Sequence, residues 1–263
     1  MLFGALVLLV AVAFSATGLS FYWWRQNRRL HARLDTGLME LQRLQIEFGR
    51  FAPQEIVNRI VASGLPAHGE RKEVTVLFAD IVGFTTLSET LAPELLVQLL
   101  NGYFNRVGRA VGEHRGHVAK FIGDGVLALF GAIAPNPWQC NDAAHAALAI
   151  LEAVHGYNLE LAERGLPALR VGIGLHCGGT VAGVIGSREL MEFTAIGTTV
   201  NLASRIERLT RPLAEKILLS AAVRERLDPR FRLREMQPME VKGVSEPVVT
   251  FALDGFAEVM GHE

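Results

Sequence analysis

The triplet Gly123-Asp124-Gly125 stands between two short apolar runs, HVAKFI (117–122) and VLALFG (126–131). Runs of this length, rich in Val, Leu and Phe and parted by a Gly-containing turn, predict a β-hairpin. This hairpin constrains the fold most because of what flanks it. Before it, Leu95, Leu96, Leu99, Leu100, Phe104, Val107 and Val111 recur at helical spacing within 93–113, and Pro93 stands where a helix opens. After it, residues 141–164 form a second, Ala/Leu-rich helical stretch. EVTVLFADIVGF (73–84) reads as a buried strand with its exit turn, and LRVGIGLHCG (169–178) reads as another strand. The order β-α-β-β-α-β predicts an α+β domain with a ferredoxin-like, split βαβ core. MEFTAI (191–196), 216–220 and 239–254 add further strands. Gly197 leads into a helix, TTVNLASRIERLT, with Thr198 or Thr199 placed to cap it.

The N-terminal part is organised differently. Residues 2–24, LFGALVLLVAVAFSATGLSFYWW, hold no charged side chain, and about 20 apolar residues suffice for a helix to cross a bilayer. The run ends in Phe21, Tyr22, Trp23 and Trp24, and Arg25, Arg28, Arg29 and Arg33 follow. An aromatic belt with a basic flank predicts a single-pass anchor in an inner or plasma membrane, with the C-terminal part cytoplasmic. A cleaved signal peptide would carry its basic residues on the other side of the apolar run. In the next segment Leu30, Leu34, Leu41, Leu44 and Phe48 fit a short coiled-coil seam if Gly37 fills the missing position. The expected organisation is an anchor over 1–24, a helical linker over 25–70, a main domain over 71–256 and a tail over 257–263.

Composition narrows the function classes. A net charge of −1 over 263 residues argues against a nucleic-acid partner. Two cysteines, Cys140 and Cys177, are too few for a disulfide framework and point to a reducing compartment. Nothing in the sequence marks either as activated. His145 and His155, with no further ligand at metal spacing, read as surface or core residues.

The chemistry is expected elsewhere. Asp80 ends the first strand and Asp124 sits in the hairpin turn. A split βαβ sheet can bring these positions side by side, so two carboxylates would face one point. That donor set suits Mg²⁺ or Mn²⁺ completed by substrate phosphates. Taken singly, an Asp in such a turn also reads as a turn-former. Ile81, Val82, Gly83, Phe84 and Thr85 follow Asp80, and a Gly-containing turn after a strand can aim backbone N–H groups at a phosphate. Lys120 lies four residues before Asp124. Asn201 and Arg205, four apart on a helix, share one face. The guanidinium fork suits phosphate oxygens, though an ordinary solvated helix face has the same pattern.

FADIVGFTTLSE, KFIGDGVLALFG, FTAIGTTVNLASRIERL and VKG, in this order and spacing, resemble the class III nucleotidyl cyclase catalytic domain over about residues 71–255. The resemblance implies a domain that forms a head-to-tail homodimer, with active sites made between protomers. It implies an adenylate cyclase that converts ATP to 3′,5′-cyclic AMP and pyrophosphate with two Mg²⁺ or Mn²⁺ ions per site. By resemblance Asp80, Ile81 and Asp124 serve the metals, and Ile81, Val82, Gly83, Phe84 and Thr85 serve the triphosphate. Lys120 and Thr194 match the purine-reading positions. Asn201 and Arg205 match the pair that orients the ribose and stabilises the transition state, and Lys242 of VKG matches a phosphate-binding lysine. Lys120 and Thr194 suit adenine, which offers a donor at its 6-amino group and an acceptor at N1. Many relatives carry Asp at the positions of Thr194 and Thr198. Thr at position 194 looks like the subset that includes bicarbonate-responsive cyclases, so bicarbonate is one candidate among unidentified activators. A guanylate cyclase and a catalytically dead, dimerising pseudocyclase are the alternatives. The GGDEF-type signature of a diguanylate cyclase is absent.

Overall fold

The computed structural model describes residues 69–187, 191–243 and 246–257, together with 23, 24, 26–28 and 39. The chain divides into two compact units, Met1–Val57 and Asn58–Glu263. In the first, the described residues are helical, and the Arg28 guanidinium lies 4.4 Å over the Trp24 ring. Most of the expected anchor and coiled-coil linker lies outside the described residues. Among the described residues no helix is long and apolar enough to cross a membrane.

The second unit runs β1 (Glu70–Ile81), α1 (Phe84–Thr90), α2 (Pro93–Glu113), β2 (Gly116–Ile122), β3 (Gly125–Phe130), α3 (Gln139–Glu163), β4 (Val171–Gly186), β5 (Met191–Ile196), α4 (Thr198–Leu209), β6 (Ile217–Ser220), α5 (Ala221–Arg224), β7 (Phe231–Glu235) and β8 (Thr250–Phe256). The sheet order is β2-β3-β1-β4-β6-β8-β7, with β5 paired to β4. Its first four strands are the expected split βαβ core, in which β1 lies antiparallel to both β3 and β4.

Strand parity places everything that follows. Successive side chains of a strand point to opposite faces. On β1, Leu77, Ala79 and Ile81 enter a core built with Leu99, Tyr103 and Val107 of α2 and Ala143, Ala147 and Ile150 of α3. Val74 and Val76 face the other way, into a smaller cluster with Leu127 and Leu129 of β3 and Ala203 of α4. Asp80 shares the parity of Val74 and Val76. It therefore belongs to the face covered by α4, not to the α2/α3 layer. α4 sits close because β4 offers it glycines. A Cβ on Gly174 would stand 2.3 Å from the Glu207 backbone nitrogen.

Two expectations need correction, and one strand is an addition. The stretch 239–254 is not one strand. Among the described residues only β8 and an isolated Met239–Val248 bridge form there, since Pro238, Gly243 (φ 75°) and Pro247 interrupt any ladder. β7, which pairs with β8, went unforeseen. Thr198 and Thr199 do not cap α4. Gly197 holds the cap position with no side-chain cap bond, and Thr199 Oγ1 donates to the Gly179 carbonyl at 2.8 Å.

Candidate active site

The β1–β3 register pairs Ala79 with Val126, so the next step along each strand sets Asp80 beside Gly125 and the turn residue Asp124. A Cβ on Gly125 would lie 3.4 Å from Asp80 Oδ1. Asp124 Oδ2 accepts the Ile81 N–H at 3.2 Å. The turn closes because Gly123 takes φ 63°, a left-handed conformation that costs glycine little. Burial first, and then the hydrogen bond and charge of Asp80, raise the Asp124 pKa to about 6.

A cleft of about 830 Å³ opens over this pair. Asp80, Asp124, Lys120, Thr194 and Asn201 all line it. Lys120 is brought there by an irregularity of β2 between Val118 and Lys120, the kind of bulge that re-aims a side chain. Its ammonium donates to Glu192 Oε2 of β5 at 2.5 Å. Both partners are partly exposed, and such ion pairs contribute only about 0–1 kcal/mol, so a ligand can displace this one. Thr194 is buried, and its hydroxyl has no hydrogen-bond partner among the described residues. An unmatched buried hydroxyl on a cleft wall is a waiting contact for a ligand.

The remaining expected site residues are placed differently. The loop after Asp80 has already committed two amides, Ile81 to Asp124 and Val82 to the Arg170 carbonyl at 2.8 Å. Gly83 takes φ 79° as the cap residue of α1, which has no side-chain cap bond, so the amides of Gly83, Phe84 and Thr85 are the part of the loop suited to an anion. Arg205 and Lys242 do not line the cleft. Arg205 Nη1 instead donates to the Gly243 carbonyl at 3.2 Å, which sets it beside exposed Lys242.

Sequence reasoning missed four residues here. Glu192 pairs with Lys120. Arg211 Nη2 donates to Asp80 Oδ2 at 2.6 Å, and Nη1 donates to Glu207 Oε1 at 2.7 Å. Glu207 is buried, and that burial raises its pKa to about 7. Tyr103 is fully buried, its hydroxyl has no partner among the described residues, and burial together with Asp80, Asp124 and Glu207 holds its proton firmly. The only signal for Glu207 and Arg211 in the sequence was their four-residue spacing on a helix. Away from the cleft, both cysteines are buried and free, and Arg226 Nη1 donates to Cys177 Sγ at 2.9 Å. His145 packs between the rings of Phe231 and Phe256 at 4.8 and 4.6 Å.

Among the described residues no group of three or more His, Cys, Asp or Glu could hold a metal. Two neighbouring carboxylates nevertheless fit a hard divalent cation whose other ligands are water and substrate phosphates.

Residues 67–255 match the family described as the adenylate and guanylate cyclase catalytic domain. The chain belongs to this family. Adenylate cyclase 1 of Rhizobium meliloti is 33% identical over 210 residues, which cover 79% of this chain and 32% of that protein. The chain thus spans about a third of that relative's length. Among solved structures, the guanylyl cyclase Cya2 is 33% identical with a TM-score of 0.66, over 73% of this chain and 96% of that one. The adenylyl cyclase CyaB from P. aeruginosa is 31% identical with a TM-score of 0.67, over 73% of this chain and 98% of that one. Cyclases of both base preferences therefore share this domain's fold at similar identity.

Proposed function

We propose that the chain is an adenylate cyclase that converts ATP to 3′,5′-cyclic AMP and pyrophosphate in a homodimer. The observation that carries this reading is the single cleft that gathers the carboxylates of Asp80 and Asp124 with Lys120, Thr194 and Asn201. Lys120 donates to adenine N1, and the unmatched Thr194 hydroxyl accepts from the 6-amino group. Asp80 and Asp124 would hold two divalent cations, Mg²⁺ or Mn²⁺, which would supply the charge that acidifies the ribose 3′-hydroxyl and stabilises the departing pyrophosphate. The amides of Gly83, Phe84 and Thr85 take triphosphate oxygens. Asn201 fixes the ribose. Arg205 brings its fork to the α-phosphate as the bond from the 3′-oxygen to phosphorus forms and the bond to pyrophosphate breaks. Lys242 stands beside Arg205 to assist at the phosphates.

The dimer follows from what one chain leaves undone. Arg205 and Lys242 lie off the cleft that holds their own Asp80 and Asp124, so each chain lends them to the other's site. Exposed Ile122 and Ile196, both of which line the cleft, supply an apolar rim for the partner copy. The second reading, a guanylate cyclase, has one observation in its favour. Glu192 places a carboxylate acceptor beside Lys120 in the cleft, and guanine offers the complementary donors.

Complementation tests the shared site. Asp80→Ala and Arg205→Ala chains should each make no cyclic AMP alone. Mixed as dimers, they should regain about a quarter of the wild-type rate, since half the dimers are mixed and each of those holds one intact site. A verified mixed dimer that stays inactive contradicts the shared site.

A further inference from the structure

We propose that Arg211 is a positioning residue of the metal site, acting through Asp80. The inference rests on the reading of Asp80 and Asp124 as the metal-holding pair.

Arg211 lies just beyond the end of α4, in the described backbone where Arg211 N–H bonds the Arg208 carbonyl. Its guanidinium is used at both ends. Nη1 is anchored on Glu207 at 2.7 Å, and Nη2 holds Asp80 Oδ2 at 2.6 Å. The anchor is rigid, because the Glu207 side chain is only 5% exposed and α4 is pressed onto the glycines of β4. A Cβ on Gly172 would meet Thr210 Oγ1 at 2.3 Å and Glu207 Oε1 at 3.1 Å. A planar guanidinium with one nitrogen anchored on Glu207 gives the single hydrogen bond of its other nitrogen to Asp80 a defined direction, which a freely rotating ammonium does not.

The consequence is a division of labour between the two oxygens of Asp80. Oδ2 belongs to Arg211. Oδ1 is left on the side of Gly125 and Asp124, where the same fixing is done to Asp124 by the Ile81 N–H on its Oδ2. Each carboxylate of the pair is therefore held by one oxygen and turned toward its neighbour. Groups that hydrogen-bond a ligating carboxylate orient it, and their loss typically lowers metal affinity about 10- to 100-fold. Arg211 also offsets the repulsion among Asp80, Asp124 and Glu207, so the three acids tolerate one another before a cation arrives.

The experiment is Mn²⁺ binding to the full chain, read from the electron paramagnetic resonance signal of free Mn²⁺, with and without α,β-methylene-ATP. Arg211→Gln should bind Mn²⁺ about 10- to 100-fold more weakly than wild type while remaining folded in EDTA. Arg211→Lys should recover part of the affinity, since it keeps the charge but not the fork. Glu207→Gln, which loosens the anchor and leaves the fork in place, should fall between wild type and Arg211→Gln. If Arg211→Gln does not fold, the other two variants decide, and unchanged Mn²⁺ affinity in both overturns the proposal. Unchanged affinity in a folded Arg211→Gln overturns it too. Tighter binding does so as well, by making Arg211 a competitor of the cation. Wild-type protein whose Mn²⁺ binding is no stronger than that of Asp80→Ala would instead overturn the metal-site reading itself, and this proposal with it.

Discussion

Asp124 carries a pH signature that follows from its surroundings. Without a cation, burial beside Asp80 raises its pKa from 3.8 to about 6. Between those values the unfolded carboxylate is ionised while the folded one keeps its proton. Folding then takes up a proton, so this group's stabilising contribution is complete below the unfolded value and is lost as pH rises through about 6. Asp124→Asn removes that loss. In EDTA, its melting temperature should exceed that of wild type near neutral pH and converge with it in mild acid. A wild-type decline that persists undiminished in the variant would contradict this. Glu207, raised to about 7 by burial, adds a decline of the same sign that remains in both proteins. At this scale the sequence was legible where chemistry coincides with a local signal. Asp80 ends an apolar run and Asp124 fills a glycine turn, so both were found. Glu207 and Arg211 were not, because a Glu and an Arg four apart on a helix look like a solvated pair. Only the glycines of a distant strand, by letting α4 approach, turn Glu207 into a buried anchor.

The elements that build the site are α4 and the strand it lies on. Gly174 has no room for a side chain, because the backbone of Glu207 and the Ala203 carbonyl occupy that space at 2.3–2.7 Å. Gly174→Ala must push α4 away. Overpacking of this kind costs about 1–3 kcal/mol, and the displacement carries Asn201 and Arg205 with it. We expect a lower melting temperature and a loss of cyclase activity larger than any rise in KM for ATP. Full activity in this variant would contradict the close packing assigned to α4. The long helices α2, α3 and α4 and the hairpin were read from periodicity and turn chemistry because both signals are local. β7 was missed for a physical reason. FRLRE alternates buried Phe231 and half-buried Leu233 with exposed arginines, as suits a charged edge strand, but five residues give too short a period to stand out. The extent of β4 was also underestimated. Its run past Gly178 and Gly179 depends on pairing with β1 and β5, and glycines in a sequence read as a stop.

At the scale of the molecule, one sheet face gives stability and the other gives function. The α2/α3 layer seals the first face with the larger core. The second carries the cleft, its rim of exposed Ile122 and Ile196, and Arg205 of α4, which one chain does not bring to its own carboxylates. The split βαβ order was legible in the sequence. The separation of Arg205 from the cleft was not, since it depends on where the loop bearing Lys242 and Gly243 returns. The central claim is the reaction itself, and product analysis tests it most directly. Purified protein is incubated with Mn²⁺ and either ATP or GTP, beside an Asp80→Ala control. The account predicts cyclic AMP from ATP, abolished in the control, with little cyclic GMP from GTP. Preferential formation of cyclic GMP, or no cyclic nucleotide from a verified dimer, would contradict it.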